Sequence, residues 1–399
     1  MISKSMSQLV AGGSVIRAMF EEGKKMAAEF GAENVYDFSL GNPCTPPPEE
    51  VRREAIRILS EEDESVLHGY MSNAGYPEVR ASLAASENRK WGTHYTANNF
   101  LMTVGAAGAL NVALKMLLEP GDEVMLFAPY FGEYNNYIAN FGGVRVVVPA
   151  DTENFSLNLE AAEALFTERT RALIINTPNN PTGVIYSADT LRALAELLHK
   201  KEAEYGHAIY LISDEPYREI VFGGQEVPHL PLFYENTMVG YSYSKSLSLP
   251  GERIGYLLIP DSVEDAENTQ AAAAVANRIL GFVNAPSLFQ KVIGELPDCT
   301  SDMSVYRENR ELLLNELTAL GFELVAPQGA FYMFPRCPFP DDRAFCALAK
   351  EYHILVVPGS TFGCPGFFRL AFCVSPETVR RSLPAFRALA ERCGCPVRK

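Results

Sequence analysis

From residue 100 onward the chain repeats one alternation: short, nearly unbroken apolar runs, then longer stretches in which apolar residues return every three or four positions. The runs at 100–104, 124–128, 144–148, 172–175, 209–213, 238–243 and 254–259 read as strands. Helical periodicity fills many of the intervals, as at 107–118, 159–166 and 188–205. A strand covered on both faces has no polar side, so unbroken apolar strands with helical crossovers predict a largely parallel sheet between layers of helices. Beyond about residue 285 the texture changes to a charged helix at 302–320, short strands at 322–325, 331–334, 354–357 and 368–373, then a closing helix. The expected fold is α/β, with a large domain on the mostly parallel sheet (51–285) and a smaller α+β domain (286–399). Residues 1–50 are expected to form an N-terminal arm and part of that small domain.

Charge narrows the field of partners. The 399 residues carry 34 Lys and Arg against 49 Asp and Glu, a formal charge of −15. Coating DNA or RNA needs a basic face, so nucleic acid is excluded as a partner, although one local anion site is not. Eight cysteines without a CxxC pair are too sparse for a disulfide scaffold. Cys393-Gly394-Cys395 has the wrong spacing for a zinc knuckle, and the six histidines are scattered, so no metal is expected. Arg17, Glu21 and Glu22 interrupt what a signal peptide keeps apolar, and no run of 18 apolar residues occurs. A cytoplasmic protein without a membrane span is the expectation.

An open α/β sheet binds its ligands beyond the carboxyl ends of its strands, so the strand ends are the places to look for chemistry. After Val104 comes Gly105-Ala106-Ala107-Gly108, small residues opening a helix. Free amides and the helix dipole there can seat a phosphate, although small residues at such a turn also serve plain packing. The apolar run 209–213 ends in Asp214, a carboxylate that is costly to ionise in such a place unless a cation meets it or it reaches water. The run 238–243 leads into Ser244 and Lys245, and Arg253 follows eight residues on. A desolvated Lys near another cation loses basicity and becomes a usable amine nucleophile. Serine hydroxyls with an arginine form a second half of a phosphate cradle. A ligand with a phosphate, an aldehyde for Lys245 and a ring cation for Asp214 would unite the three ends, and pyridoxal 5′-phosphate has all three.

From Asp37-Phe38-Ser39-Leu40-Gly41-Asn42-Pro43 to Phe368-Arg369-Leu370-Ala371-Phe372 the chain resembles the class I/II aminotransferases, pyridoxal-phosphate enzymes of fold type I with the aspartate aminotransferase architecture. Asn179-Asn180-Pro181-Thr182-Gly183, Asp214-Glu215-Pro216-Tyr217 and Ser242-Tyr243-Ser244-Lys245 with Arg253, in that order, carry the resemblance. It implies that Lys245 holds the cofactor as a Schiff base and then moves the substrate α-proton. Asp214 would pair with the ring nitrogen, while Asn180 and Tyr217 would hydrogen-bond the ring's 3-oxygen. The amides of Ala106 and Ala107, with Ser242 and Arg253, would hold the phosphate. Phe131 would stack on the ring, with Tyr130 as the competing stacker. Arg369 would grip the substrate α-carboxylate in a pocket completed by Gly41 and Asn180. Tyr70 matches a position that reaches the phosphate of the neighbouring subunit, which implies a homodimer with shared active sites. Arg278 lies near the position where some dicarboxylate-specific relatives read a second carboxylate, although the register downstream is one residue off.

The implied reaction moves an α-amino group from an L-amino acid, aspartate or glutamate among the candidates, to a 2-oxo acid by ping-pong kinetics. A carbon–sulfur β-lyase or a decarboxylase would use the same lysine on a different bond. An aminotransferase-like regulator half would need a DNA-binding module, for which the first 100 residues offer no basic helix pattern.

Overall fold

Adjacent residues of one apolar run face opposite ways. The computed structural model describes residues 2–12 and 15–396. In the strand Thr170–Asn176, Leu173 and Ile175 pack with Leu191, Leu194 and Leu198 of the helix Ala188–Tyr205. Their neighbours Ala172 and Ile174 pack with Ala109, Leu110 and Ala113 of the helix Gly105–Leu117. Both faces being covered, the strand carries no polar alternation.

Seven strands share this sheet: β1 (Phe100–Thr103), β2 (Glu123–Phe127), β3 (Val144–Val148), β4 (Thr170–Asn176), β5 (Tyr210–Asp214), β6 (Thr237–Ser242) and β7 (Gly255–Leu258). Their spatial order is β1-β7-β6-β5-β4-β2-β3. β7 is antiparallel to both its neighbours and every other pairing is parallel. The other six strands therefore end at one edge, where Asn176, Asp214, Ser242 and the turn at Gly105 come together.

Local signals set the helix limits. Ser187 accepts a hydrogen bond from the Thr190 amide (3.1 Å) at the start of Ala188–Tyr205, and Gly206 closes it at φ 75°. A left-handed cap of this kind costs glycine nothing, because it has no Cβ.

A second, smaller sheet is antiparallel throughout: β8 (Tyr332–Met333), β9 (Val357–Pro358) and β10 (Phe368–Ala371), in the order β9-β10-β8. Phe331, Phe345 and Phe368 form its core with Leu313 and Phe386 from the helices Ser304–Ala319 and Pro376–Arg392. The N-terminal segment joins it directly, since Tyr36–Asp37 pairs in parallel with Ile354–Leu355. The Phe38 carbonyl then accepts from the Ala371 amide (2.9 Å). These bonds deliver residues 39–41 to the edge of the large sheet.

One expected strand is absent. Residues 322–325 pair with no strand. Phe322 is instead buried with its ring edge-on to Phe345 and Phe368 (6.2 and 5.9 Å), so its apolar surface fills a gap without extending a ladder. Among the described residues no helix is long and apolar enough to cross a membrane.

Candidate active site

The strand ends enclose a cleft of about 330 Å³ lined by Gly41, Ala106, Ala107, Phe131, Asn180, Asp214, Tyr217, Ser242, Lys245, Arg253 and Arg369. Residues scattered over most of the chain thus share one wall: most flank a strand of the large sheet at this edge, while Gly41 comes from the N-terminal segment and Arg369 from β10 of the small sheet.

At one end lies a cradle of small residues and donors. Gly105 opens its helix at φ 77°, and a Cβ at this position would stand 3.0 Å from Arg253 Nη2 and 3.4 Å from Ser242 Oγ. The helix that follows runs for 13 residues and begins with Gly105, Ala106 and Ala107, so its first amides have no partner within the helix. Arg253, itself at φ 52°, is held by bonds from Nη1 to the Pro250 carbonyl (3.0 Å) and from Nη2 to the Val104 carbonyl (3.2 Å). Ser242 Oγ lies 2.7 Å from Ser244 Oγ and accepts from the Ser244 amide. This end is built for an anion.

Asp214 sits on the floor. Its Oδ2 accepts from the Tyr134 hydroxyl at 2.6 Å, while its Oδ1 is buried without a partner among the described residues. Burial raises its pKa to about 7, and the Tyr134 bond offsets part of that rise. An N–H or cationic group in the cleft would satisfy Oδ1 and hold the carboxylate charged. Asn176 supports the same corner, donating to the Asp214 carbonyl (2.7 Å) and accepting from the Asn180 amide (2.6 Å).

Lys245 Nζ donates to the Gly41 carbonyl at 2.6 Å. Burial brings its pKa down to about 8; Cys373 opposes that shift and Arg369 and Arg253 add to it. An amine so depressed is partly neutral near pH 7, the state in which it can attack a carbonyl carbon.

Beyond Lys245, Arg369 is almost wholly buried, 2% exposed, and needs acceptors. Nη1 donates to Asn180 Oδ1 at 3.2 Å and Nη2 to the Ser39 carbonyl, but Nε has no partner among the described residues. The guanidinium lies between the rings of Tyr332 and Phe362, 4.7 and 4.9 Å from their centroids. A buried arginine with an unused N–H suits an incoming carboxylate.

Phe131 lines the cleft edge-on to Tyr134 (5.6 Å), whereas Tyr130 is buried outside it with its hydroxyl on Asn135. Tyr70, 95% exposed, and Arg278, also exposed, lie outside the cleft of their own chain. Sequence reasoning missed Tyr134, Tyr332, Asn176 and Ser39. Asn176 carried a usable signal, since it ends an apolar strand as Asp214 does. Tyr134 and Tyr332 carried none, because their partners stand 80 and 115 positions away.

The fold also gathers His199, Glu202 and Glu235 at the surface, a grouping their sequence spacing did not suggest. Protein partners occupy the trio. His199 pairs with Glu235 at 2.9 Å, and Glu202 Oε1 receives Tyr234, Asn236 and the Ile209 amide.

Comparison with known proteins defines the class. The sequence model of the family described as aminotransferase class I and II matches residues 33–386. The chain belongs to this family and is a transaminase, an enzyme of a class that uses pyridoxal phosphate. It is similar to a crystal structure of an amino transferase from Eubacterium rectale, 47% identical with a TM-score of 0.96, over 98% of this chain and 99% of that one. It is 31% identical over 387 residues to the aspartate aminotransferase of Thermotoga maritima, covering 96% of this chain and 97% of that protein. The aspartate/prephenate aminotransferase of Thermus thermophilus is 33% identical over 361 residues, 89% of this chain and 90% of that protein.

Proposed function

We propose that this transaminase binds pyridoxal 5′-phosphate in the cleft and moves the α-amino group of an L-amino acid to a 2-oxo acid by ping-pong kinetics. The observation that carries the reading is the unpartnered Oδ1 of Asp214, buried in the same cleft as the Lys245 amine and the Gly105–Arg253 cradle. When bound, the cofactor supplies an aldehyde that condenses with amines and a ring that accepts the electron pair left as a Cα–H bond breaks.

The side chains divide the remaining work. Asp214 holds a proton at the ring nitrogen, and Tyr134 keeps its carboxylate in place. The amides of Ala106 and Ala107 bind the phosphate together with Ser242 and Arg253. Asn180 and Tyr217 hydrogen-bond the ring's 3-oxygen, and Phe131 covers one face of the ring. Arg369 clamps the substrate carboxylate and so orients the Cα–H bond, with Gly41 and Asn180 completing that pocket. Lys245 Nζ, depressed toward neutrality, would take the proton from Cα and deliver it to the carbon that carried the cofactor's aldehyde, so that the amino group stays with the cofactor.

Tyr70 is exposed and stands outside its own cleft, so the reading includes a homodimer in which it serves the partner's phosphate site. Arg278, likewise exposed, would read a second substrate carboxylate only from such a partner position. The names of the Thermotoga and Thermus relatives favour aspartate among the donors. Residues 51–285 form the cofactor domain in this reading and 286–399 the small domain, completed by part of 1–50. The pairing of Tyr36–Asp37 with Ile354–Leu355 supports that division. A cytoplasmic location accords with eight cysteines that are all unpaired.

A panel of amino donors and oxo acceptors, run on the purified enzyme and on Lys245→Ala, tests the proposal. Oxo acid formed in step with a new amino acid is expected, with turnover and the visible cofactor absorbance both lost in the variant. Full transamination by Lys245→Ala would sink the assignment, and ammonia with pyruvate as products would replace it by β-elimination.

A further inference from the structure

We infer that Tyr332 is a positioning residue that joins the grip on the substrate carboxylate to the hydrogen bond at the cofactor's ring oxygen, acting through Tyr217. The inference rests on the pyridoxal-phosphate reading above. Tyr332 lies on β8, where its backbone pairs with Ala371, two residues beyond Arg369 on the neighbouring strand. It is buried, and three parts of the site meet on it.

Its ring face supports the Arg369 guanidinium, whose carbon is 4.7 Å from the ring centroid. A planar cation over a π-face is held in its plane without spending an N–H, which leaves Nε free for a ligand. Its hydroxyl lies 2.9 Å from the Tyr217 hydroxyl, with the two rings edge to face at 83°. The same hydroxyl fills the space beside Gly41, where a Cβ would fall 2.0 Å from it. Gly41 in turn offers its carbonyl to Lys245. Glycine at 41 is thus explained by the phenol that occupies the place of a side chain.

The proton count sets the direction of the bond. Tyr217 has one hydroxyl proton, and if it donates that proton to the ring oxygen, the proton between the two phenols must come from Tyr332. Two phenols donating in series polarise one another, so Tyr332 strengthens the bond that Tyr217 makes. A donor at the ring oxygen stabilises its negative charge. That charge is most exposed once the nitrogen linked to Lys245 has lost the proton it shares with the oxygen. Weakening the donor therefore makes that deprotonation harder.

The test is a pH titration of the visible absorbance of the cofactor-loaded enzyme, made on wild type, Tyr332→Phe and Tyr217→Phe. Tyr332→Phe keeps the ring under Arg369 and removes only the hydroxyl. Its midpoint is expected to rise by about half a pH unit, with a larger rise for Tyr217→Phe. Its KM for the amino donor should stay within about threefold of wild type, since the stack survives, whereas Tyr332→Leu should raise KM roughly tenfold or more. Thermal melts show whether each variant is folded. A midpoint unmoved in Tyr332→Phe but raised in Tyr217→Phe would overturn the role of Tyr332. No shift in either variant would overturn the roles of both hydroxyls while leaving the cofactor reading in place, and no visible band in wild type would remove the cofactor reading and the inference with it.

Discussion

Replacing Gly105 by alanine probes the anion cradle with a single methyl group. Two effects arise. Gly105 has φ 77°, and an L-residue in the left-handed region costs about 1–2 kcal/mol. The new Cβ also stands 3.0 Å from Arg253 Nη2 and 3.4 Å from Ser242 Oγ, so the guanidinium must yield. Gly206 separates the two effects, because it has φ 75° and nothing within 4 Å of a would-be Cβ. Gly206→Ala should lose the same backbone increment of stability and leave cofactor affinity unchanged. Gly105→Ala should lose that increment and also displace one charged donor, a bond of about 1.5–3 kcal/mol. The expected result is roughly ten- to hundredfold weaker cofactor binding. Fluorescence or absorbance titration of the cofactor-free proteins with pyridoxal phosphate measures this, alongside thermal melts of both variants. If Gly105→Ala matched Gly206→Ala in affinity within twofold, the phosphate would not sit between Gly105 and Arg253.

Other parts of the molecule make separate predictions. The folded pKa of Asp214, about 7, lies above the roughly 3.9 of an unfolded aspartate, so its ionised form opposes folding of the cofactor-free protein fully above pH 7 and not at all below that lower value. Cofactor-free Asp214→Asn should therefore melt above wild type near pH 8, with the gap closing as pH falls toward 5; a gap that does not change with pH would contradict the burial argument. Behind the sheet, Arg218 meets Glu87 at 2.7 Å and Glu215 at 3.4 Å, all three buried. Burial pushes the Glu87 pKa up, but Arg218, Lys90 and His229 together outweigh it and hold the carboxyl below its ordinary range. Arg218→Met would strand both acids and should cost about 3–5 kcal/mol in chemical denaturation, whereas a loss below about 1 kcal/mol would mean that the ion cluster does not carry stability.

Much of this architecture was legible because burial on two faces leaves an unmistakable mark on a strand. The sequence shows 188–205 as a helix end to end, since Ser187 and Gly206 are chemical signals that act locally. Lys245, Asp214 and Arg253 stood out because a charge at the end of an apolar run needs a reason. Strand direction leaves no such mark: nothing in the run 254–259 says that β7 opposes its neighbours. Segment 322–325 misled because Phe322 is apolar for packing, not for pairing. Tyr134 and Tyr332 stayed hidden for a related cause: Tyr332, between Phe331 and Met333, reads as core, and Tyr134, between Glu133 and Asn135, as an ordinary helix residue, until the fold sets an arginine against the one and an acid against the other. Tyr70 and Arg278 have the right residue types for their expected roles but do not line the cleft of their own chain.

The pairing of Tyr36–Asp37 with Ile354–Leu355 also sets a timetable. The central sheet is complete once residue 258 has been made, and with it Asp214, Lys245 and the Gly105 cradle. Ser39 and Gly41 are synthesised long before, yet their docking strand comes near the end of the chain, and Ser39 meets Arg369 across 330 positions. Folding from the N-terminus as the chain emerges thus builds the cofactor half first and leaves the early segment waiting for its late partner. A nascent chain stalled before residue 354 would hold the cradle and the lysine but no clamp for a substrate. The enzyme acquires its selectivity last.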